Sequence, residues 1–273
     1  MEKTTLADKY LTFSEESKKS LHPKAVELLI DTFNKVYPGI CDFFNNGEIR
    51  HVVFETDSNC VNPHHIMVVE DDRLITGNII KFNPNNQIFQ KQPYDIDFMT
   101  HELVHVAQPD KYWHNDNYPM WITEGLADYG REKFGLNNKA TGWSITKVTG
   151  KKSKRLYEQG YTIAAGFFIW IEKNIDETLP KDLNEAMKSG RYSRNYFIEK
   201  TGKTIDELWE VYLDASILEH LAWIESEFDI KVPENLNSRI ISGSLNDNDE
   251  NYFTVKAGKT LDELWEAYVN ANG

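Results

Sequence analysis

The chain has 273 residues, 40% of them hydrophobic, and a formal net charge of −13. This length can bury one sizeable core or two smaller ones. The acidic composition argues against a nucleic acid partner, and no apolar run approaches the roughly 20 residues that cross a bilayer.

The first residues, 1–8, contain no apolar segment typical of a secretion signal. We therefore expect a cytoplasmic protein, or a secreted or periplasmic one if a signal has been removed. Cys41 and Cys60 could form one disulfide, but two cysteines do not decide the compartment.

The segment ahead of residue 95 predicts one helix and a small sheet. Residues 22–37 carry apolar side chains at helical spacing. Residues 49–55, 65–70 and 78–83 are rich in β-branched and aromatic residues and predict three strands. We expect the helix to pack under the sheet formed by these strands.

A helix with two histidines is predicted at 95–108, bracketed by Pro93 and Pro109. His101 and His105 are four residues apart, so both imidazoles project from one helix face and can hold a single ion. Glu102 lies one step round the helix, close enough to reach a water on that ion.

The next helix, predicted from about residue 123, supplies two carboxylates four residues apart. Glu124 is the natural third ligand, which leaves the fourth position of a tetrahedral zinc open to water, as in catalytic zinc sites. Asp128 is placed to accept the outer ring N–H of a ligand histidine. The alternative is that Asp128 is a solvated residue or an ion-pair partner of Arg131.

The evidence for other histidine-based site patterns in this chain is weaker. The metzincin pattern requires Gly at 108 and His at 111, whereas the chain has Gln108 and Lys111. Single histidines are usually polar surface groups, so we expect His64, His65 and His114 to lie outside the site.

The 18-residue gap between His105 and Glu124, followed by Gly-Leu-Ala-Asp-Tyr, resembles the gluzincin peptidases. Within that group the chain is similar to the plant basic secretory protein family, which has bacterial members. The matching stretches are 101–108, 123–131, 159–161 and 202–209, within a resemblance over roughly residues 20–216. The net charge of −13 does not fit the word "basic" in the name of this family.

The resemblance implies an α+β, thermolysin-like catalytic domain with a small mixed sheet and zinc-site helices. It implies a metallopeptidase acting on peptides or proteins, with one zinc ion (Zn²⁺) per chain. His101, His105 and Glu124 are then the ligands and Glu102 is the general base.

Two further roles follow from the same resemblance. Gluzincins stabilise the oxyanion with a Tyr or His beyond the third ligand, and Tyr161 is the candidate, with Tyr157 as the alternative. The strand before the zinc helix is a sheet edge in gluzincins. Asn78 and Ile80 would therefore bind an extended peptide by strand addition.

The C-terminal part contains an internal repeat. Residues 196–210 recur at 252–266 with an offset of 56, and 170–172 recur at 223–225 with an offset of 53. The pattern predicts two copies of one helical module, 167–216 and 220–273, in a helical C-terminal region. We therefore predict a zinc-peptidase catalytic region at 1–166, a helical subdomain at 167–219 and the second copy of the helical module at 220–273.

Each copy contains a Thr-x-x-Glu capping box at the start of its last helix. The boxes are Thr204 to Glu207 and Thr260 to Glu263. We favour a duplicated scaffold over an added substrate-binding surface, because the shared residues are caps and apolar anchors.

Three functional classes remain open: a zinc peptidase, a catalytically silent zinc module that binds a protein partner, and a zinc hydrolase with a non-peptide substrate. The presence of Glu102 argues against the silent module, because a structural site has no use for a base beside an open ligand position.

Overall fold

The computed structural model describes these residues: 4–57, 67–72, 75–83, 92–108, 119–148 and 155–272. The protein is α+β, as predicted, and mostly helical. It divides into two compact units. The first comprises Met1–Ser144 with Gly160–Ser193, and the second comprises Ile145–Gln159 with Arg194–Gly273.

The first unit contains the sheet and eight helices within its described residues. In chain order they are α1 (Leu6–Tyr10), β1 (Leu11–Phe13), α2 (Glu15–Ser20), α3 (Pro23–Phe44), β2 (Val52–Thr56), β3 (Met67–Asp72), β4 (Ile75–Phe82), α4 (Asp97–Ala107), α5 (Met120–Phe134), α6 (Asn138–Thr141), α7 (Tyr161–Asn174) and α8 (Leu179–Lys188). The three predicted strands correspond to β2, β3 and β4, with shifted ends.

The strand order is β1-β2-β4-β3. β4 runs parallel to β2, and β3 runs antiparallel to β4 along its other side. The predicted edge strand is therefore an interior strand, and the prediction of Asn78 and Ile80 as an edge that binds peptide is wrong. β3 occupies the position that a peptide would need, since Ile80 lies between Phe54 and Val69 in the ladder.

The core of this unit lies between α3, the sheet and α4. Pro23 occupies the first turn of α3, where its missing N–H costs nothing. The buried face of α3 includes Leu29, Phe33, Val36, Ile40 and Phe44. The ring of Phe54 on β2 stacks on Phe82 of β4 at 4.9 Å. Every residue of α4 from Met99 to Ala107 is buried, so its polar side chains need partners inside the protein.

The second unit is helical in its described residues. Its α-helices are α9 (Tyr196–Thr201), α10 (Ile205–Phe228), α11 (Glu234–Ser242), α12 (Asp247–Ala257) and α13 (Leu261–Asn272). Both predicted capping boxes are confirmed: the backbone N–H groups of Thr204 and Thr260 each donate to the Glu three residues on, at 2.7 Å. The core residues include Ile217, Leu221, Ile224, Leu236, Phe253, Leu264 and Trp265.

The predicted domain boundaries differ from the observed units. The boundary after residue 166 falls inside α7, and the boundary after residue 219 falls inside α10. One continuous helix thus ends the first predicted copy and begins the second. The duplication itself stays a prediction. Within the described residues, no helix combines the length and apolarity that a membrane crossing requires.

Candidate metal centre

Three side chains from α4 and α5 converge on one point in the first unit. The Nε2 atoms of His101 and His105 are 3.1 Å apart. The Oε2 atom of Glu124 lies 3.3 Å from the first and 3.5 Å from the second. Helical spacing predicted that His101 and His105 share one face, and Glu124 was the predicted third ligand from the next helix. The structure places all three as one buried group.

The spacing of these atoms fits a small tetrahedral ion. Ligand atoms about 2.0–2.1 Å from a tetrahedral zinc stand about 3.3–3.4 Å from one another. The three observed distances bracket that value. A group of three acceptor atoms this close together is favourable only when a cation or a proton lies among them.

The second ring nitrogen of each histidine has its own acceptor. His101 Nδ1 lies 2.6 Å from Asp128 Oδ1, and His105 Nδ1 lies 2.9 Å from Gln108 Oε1. A carboxylate accepts only, so the His101 proton belongs on Nδ1 and leaves Nε2 free to ligate. Asp128 therefore stands where the sequence predicted it.

The cluster concentrates negative charge in a buried place. Burial, reinforced by Glu124 and Asp128, raises the pKa of Glu102. Burial alone would lower the pKa of His101, but Asp128 and Glu124 raise it above the usual range. These shifts show that a positive charge is stabilised here, and a divalent cation would meet the same need.

The helix that carries Glu124 approaches its neighbours closely because it has glycine at two contact points. A Cβ on Gly130 would come within 2.5 Å of Val104 on α4, and one on Gly125 within 2.6 Å of Ala164 on α7. Any larger side chain would push α5 away from its neighbours. The position of Glu124 relative to the two histidines depends on these contacts.

The far end of α5 is fixed by Arg131, which pairs with Asp95 and not with Asp128, the partner considered as an alternative. Its guanidinium donates to both carboxylate oxygens of Asp95, at 2.9 and 3.0 Å. It also lies over the rings of Phe98 and Trp143. This buried cation ties the end of α5 to the segment that leads into α4.

Tyr161 lies beside the cluster. Its ring is stacked on that of His101, with centroids 6.3 Å apart, and 53% of the residue is exposed. Gly160 and Tyr161 both have positive φ, +74° and +48°. Strained backbone of this kind persists where the surrounding structure imposes it, often at functional sites. A Cβ on Gly160 would approach Trp121 Cα to 3.3 Å, so the turn runs close against α5.

The remaining predicted residues divide into two groups. Tyr157, the alternative to Tyr161, is buried, and its hydroxyl donates to Asp206 at 2.6 Å. Cys41 is a buried free thiol. His64, His65, His114 and Cys60 lie outside the described residues. Sequence reasoning missed Gln108, although its place three residues after His105 is one helical turn and gave a usable signal.

Comparison with known proteins supplies one match. The family model BSP, described as "Peptidase of plants and bacteria", matches residues 84–212, which include all of the residues in the cluster. No curated protein and no solved structure matches the chain.

Proposed function

We propose that this chain is a zinc-dependent peptidase, since the model of the BSP family of peptidases matches residues 84–212. The observation that carries the proposal is the triad of His101 Nε2, His105 Nε2 and Glu124 Oε2 at tetrahedral spacing. Three protein ligands leave one position for water or substrate, the arrangement of catalytic zinc sites.

The donor set favours zinc among the common metals. Two imidazoles and one carboxylate match the ligand set of thermolysin-type zinc sites. Magnesium and calcium prefer oxygen donors alone. A site with no thiolate and an open position also differs from structural zinc sites.

The reaction we propose is hydrolysis of a peptide bond. A bound zinc ion would polarise the scissile carbonyl and lower the pKa of a coordinated water toward neutrality. Glu102 accepts the proton of the attacking water and passes it to the leaving amine. The buried surroundings raise the pKa of its carboxyl, which strengthens it as a base.

Tyr161 is proposed to stabilise the developing oxyanion. Burial and the nearby carboxylates raise the pKa of its phenol, which keeps the hydroxyl protonated and able to donate a hydrogen bond. The half-exposed ring lies between the cluster and solvent, where a substrate carbonyl would arrive. The strained turn at 160–161 holds the ring there.

For substrate binding we propose β3 in place of β4. Within the described sheet, β3 is one of the two edge strands, and it lies alongside α4. An edge strand offers backbone N–H and C=O groups to an extended peptide regardless of its side chains.

The test is Glu102→Gln, which keeps size but removes the base. Zinc content should stay at the parent level while turnover of a peptide library falls by a factor on the order of 10²–10⁴. Glu132→Gln, an exposed position on α5, is the matched control and should cleave at the parent rate. Equal turnover by Glu102→Gln would refute the mechanism. A zinc-loaded parent that cleaves no peptide would instead favour a binding module.

A further inference from the structure

The two histidine ligands are supported by different kinds of side chain. His101 Nδ1 faces the carboxylate of Asp128 at 2.6 Å, whereas His105 Nδ1 faces the neutral amide of Gln108 at 2.9 Å. Gln108 is 1% exposed. Its side chain therefore belongs to the buried cluster and not to the surface.

The backbone of Gln108 is held on both sides. Its N–H donates to the carbonyl of Val104 at 2.8 Å. Arg50 donates from Nη1 to the carbonyls of Val106 at 3.1 Å and Gln108 at 3.5 Å. Since the next residue in the sequence is proline, Gln108 is confined to extended φ and ψ, and it has φ −70° and ψ 148°. The amide thus projects from a fixed point.

The orientation of this amide determines the tautomer of His105. With Oε1 toward the ring, the Gln108 side chain can only accept, so the histidine proton resides on Nδ1. The opposite amide orientation would place the proton on His105 Nε2, the atom that faces His101 and Glu124. Only the first arrangement leaves a lone pair for a metal.

We propose that Gln108 is a positioning residue that fixes the tautomer and ring orientation of His105 for metal binding. The inference rests on the proposed metal site. A neutral acceptor suits this position because Glu102, Glu124 and Asp128 already bring three carboxylates into the same buried volume. A fourth carboxylate would add a further desolvated charge.

The test compares zinc dissociation constants, measured by competition with a chelator, for two variants of similar size. Gln108→Met removes the acceptor, and the constant should rise about 10–100-fold. Gln108→Glu keeps the acceptor, so its zinc dissociation constant should be no larger than that of the parent. Its metal-free form should melt at a lower temperature than the metal-free parent. Asn184→Leu removes a buried amide that donates to Phe44 and should leave zinc affinity unchanged.

Parent-like zinc affinity in Gln108→Met, or an equal loss in Gln108→Glu, would overturn the inference. A parent that binds no zinc would refute the proposed function instead. In that case, two-bond ¹H–¹⁵N spectra of the metal-free protein decide the role of Gln108. The inference predicts a proton on His105 Nδ1 in the parent and a mixture of tautomers in Gln108→Met. A parent with the proton on Nε2 would contradict it.

Discussion

Both units of the protein contain buried histidines, and His101 and His220 have opposite electrostatic surroundings. His101 in the first unit faces Asp128 and Glu124, and these carboxylates raise its pKa. His220 in the second unit is fully buried, and its Nε2–H donates to the carbonyl of Leu264 at 3.2 Å. Burial lowers the pKa of His220 to about 4.

The comparison shows that burial alone does not make a histidine a ligand. The ring of His220 packs against Trp265 with centroids 3.5 Å apart, and it belongs to an apolar core. The rings of His101 and His105 present their Nε2 atoms to a third ligand atom while carboxylate and amide groups accept from their Nδ1 atoms. The chemistry of the partner groups distinguishes the proposed metal site from a histidine that is only packed in a core.

The largest effect that we expect from this comparison is acid sensitivity caused by His220. The unfolded chain binds a proton near the ordinary pKa of 6.5, but the folded protein does so only near 4. The contribution of neutral His220 to the unfolding free energy is therefore complete above pH 6.5, and it is lost as the pH falls toward 4. Between pH 7 and pH 4, the unfolding free energy of the parent should fall by about 3 kcal/mol more than that of His220→Phe. Urea unfolding at both pH values measures this, and identical decreases in parent and variant would contradict it.

A second prediction concerns the support of His101. Asp128→Asn can still accept a hydrogen bond but carries no charge, so zinc affinity should fall roughly 10–100-fold. The control is Asp31→Asn, which loses a surface ion pair with Lys35 worth about 0–1 kcal/mol and should keep parent affinity. A loss confined to thermal stability in Asp128→Asn would make Asp128 a structural residue.

The smallest effect is expected at the helix caps of the second unit. Thr260→Ala removes the hydroxyl that accepts from the Glu263 N–H at 3.2 Å and should cost about 1 kcal/mol of unfolding free energy. Thr204→Ala removes the same kind of cap from α10 and should cost a similar amount. Zinc affinity, measured by chelator competition, should not change in either variant. A change would contradict the assignment of metal binding to the first unit alone.

The parts of the site that the sequence predicted depend on residue spacing within single helices. His101, His105, Glu124 and Asp128 lie on two helices at spacings of four, and helical geometry fixes which side chains share a face. The capping boxes are local in the same sense. Gln108 carried a comparable signal, because it follows His105 by three residues.

The prediction that proved wrong, the edge position of 78–83, depended on contacts between distant segments. Whether 78–83 is an edge strand depends on where β3 lies, and the spacing of residues within the strand does not contain that information. The observed units are discontinuous in sequence, since 145–159 group with 194–273. The boundary after residue 219 is a different case. The stretch 205–228 contains neither Gly nor Pro, and this local signal already favoured one helix.

The most direct test of the account is the metal content of the parent and two histidine variants after dialysis against zinc. The parent and His220→Phe should each retain about one zinc per chain, released by a chelator, while His105→Ala retains essentially none. A parent without zinc, or His105→Ala with as much zinc as the parent, would contradict the assignment of the metal centre to His101, His105 and Glu124.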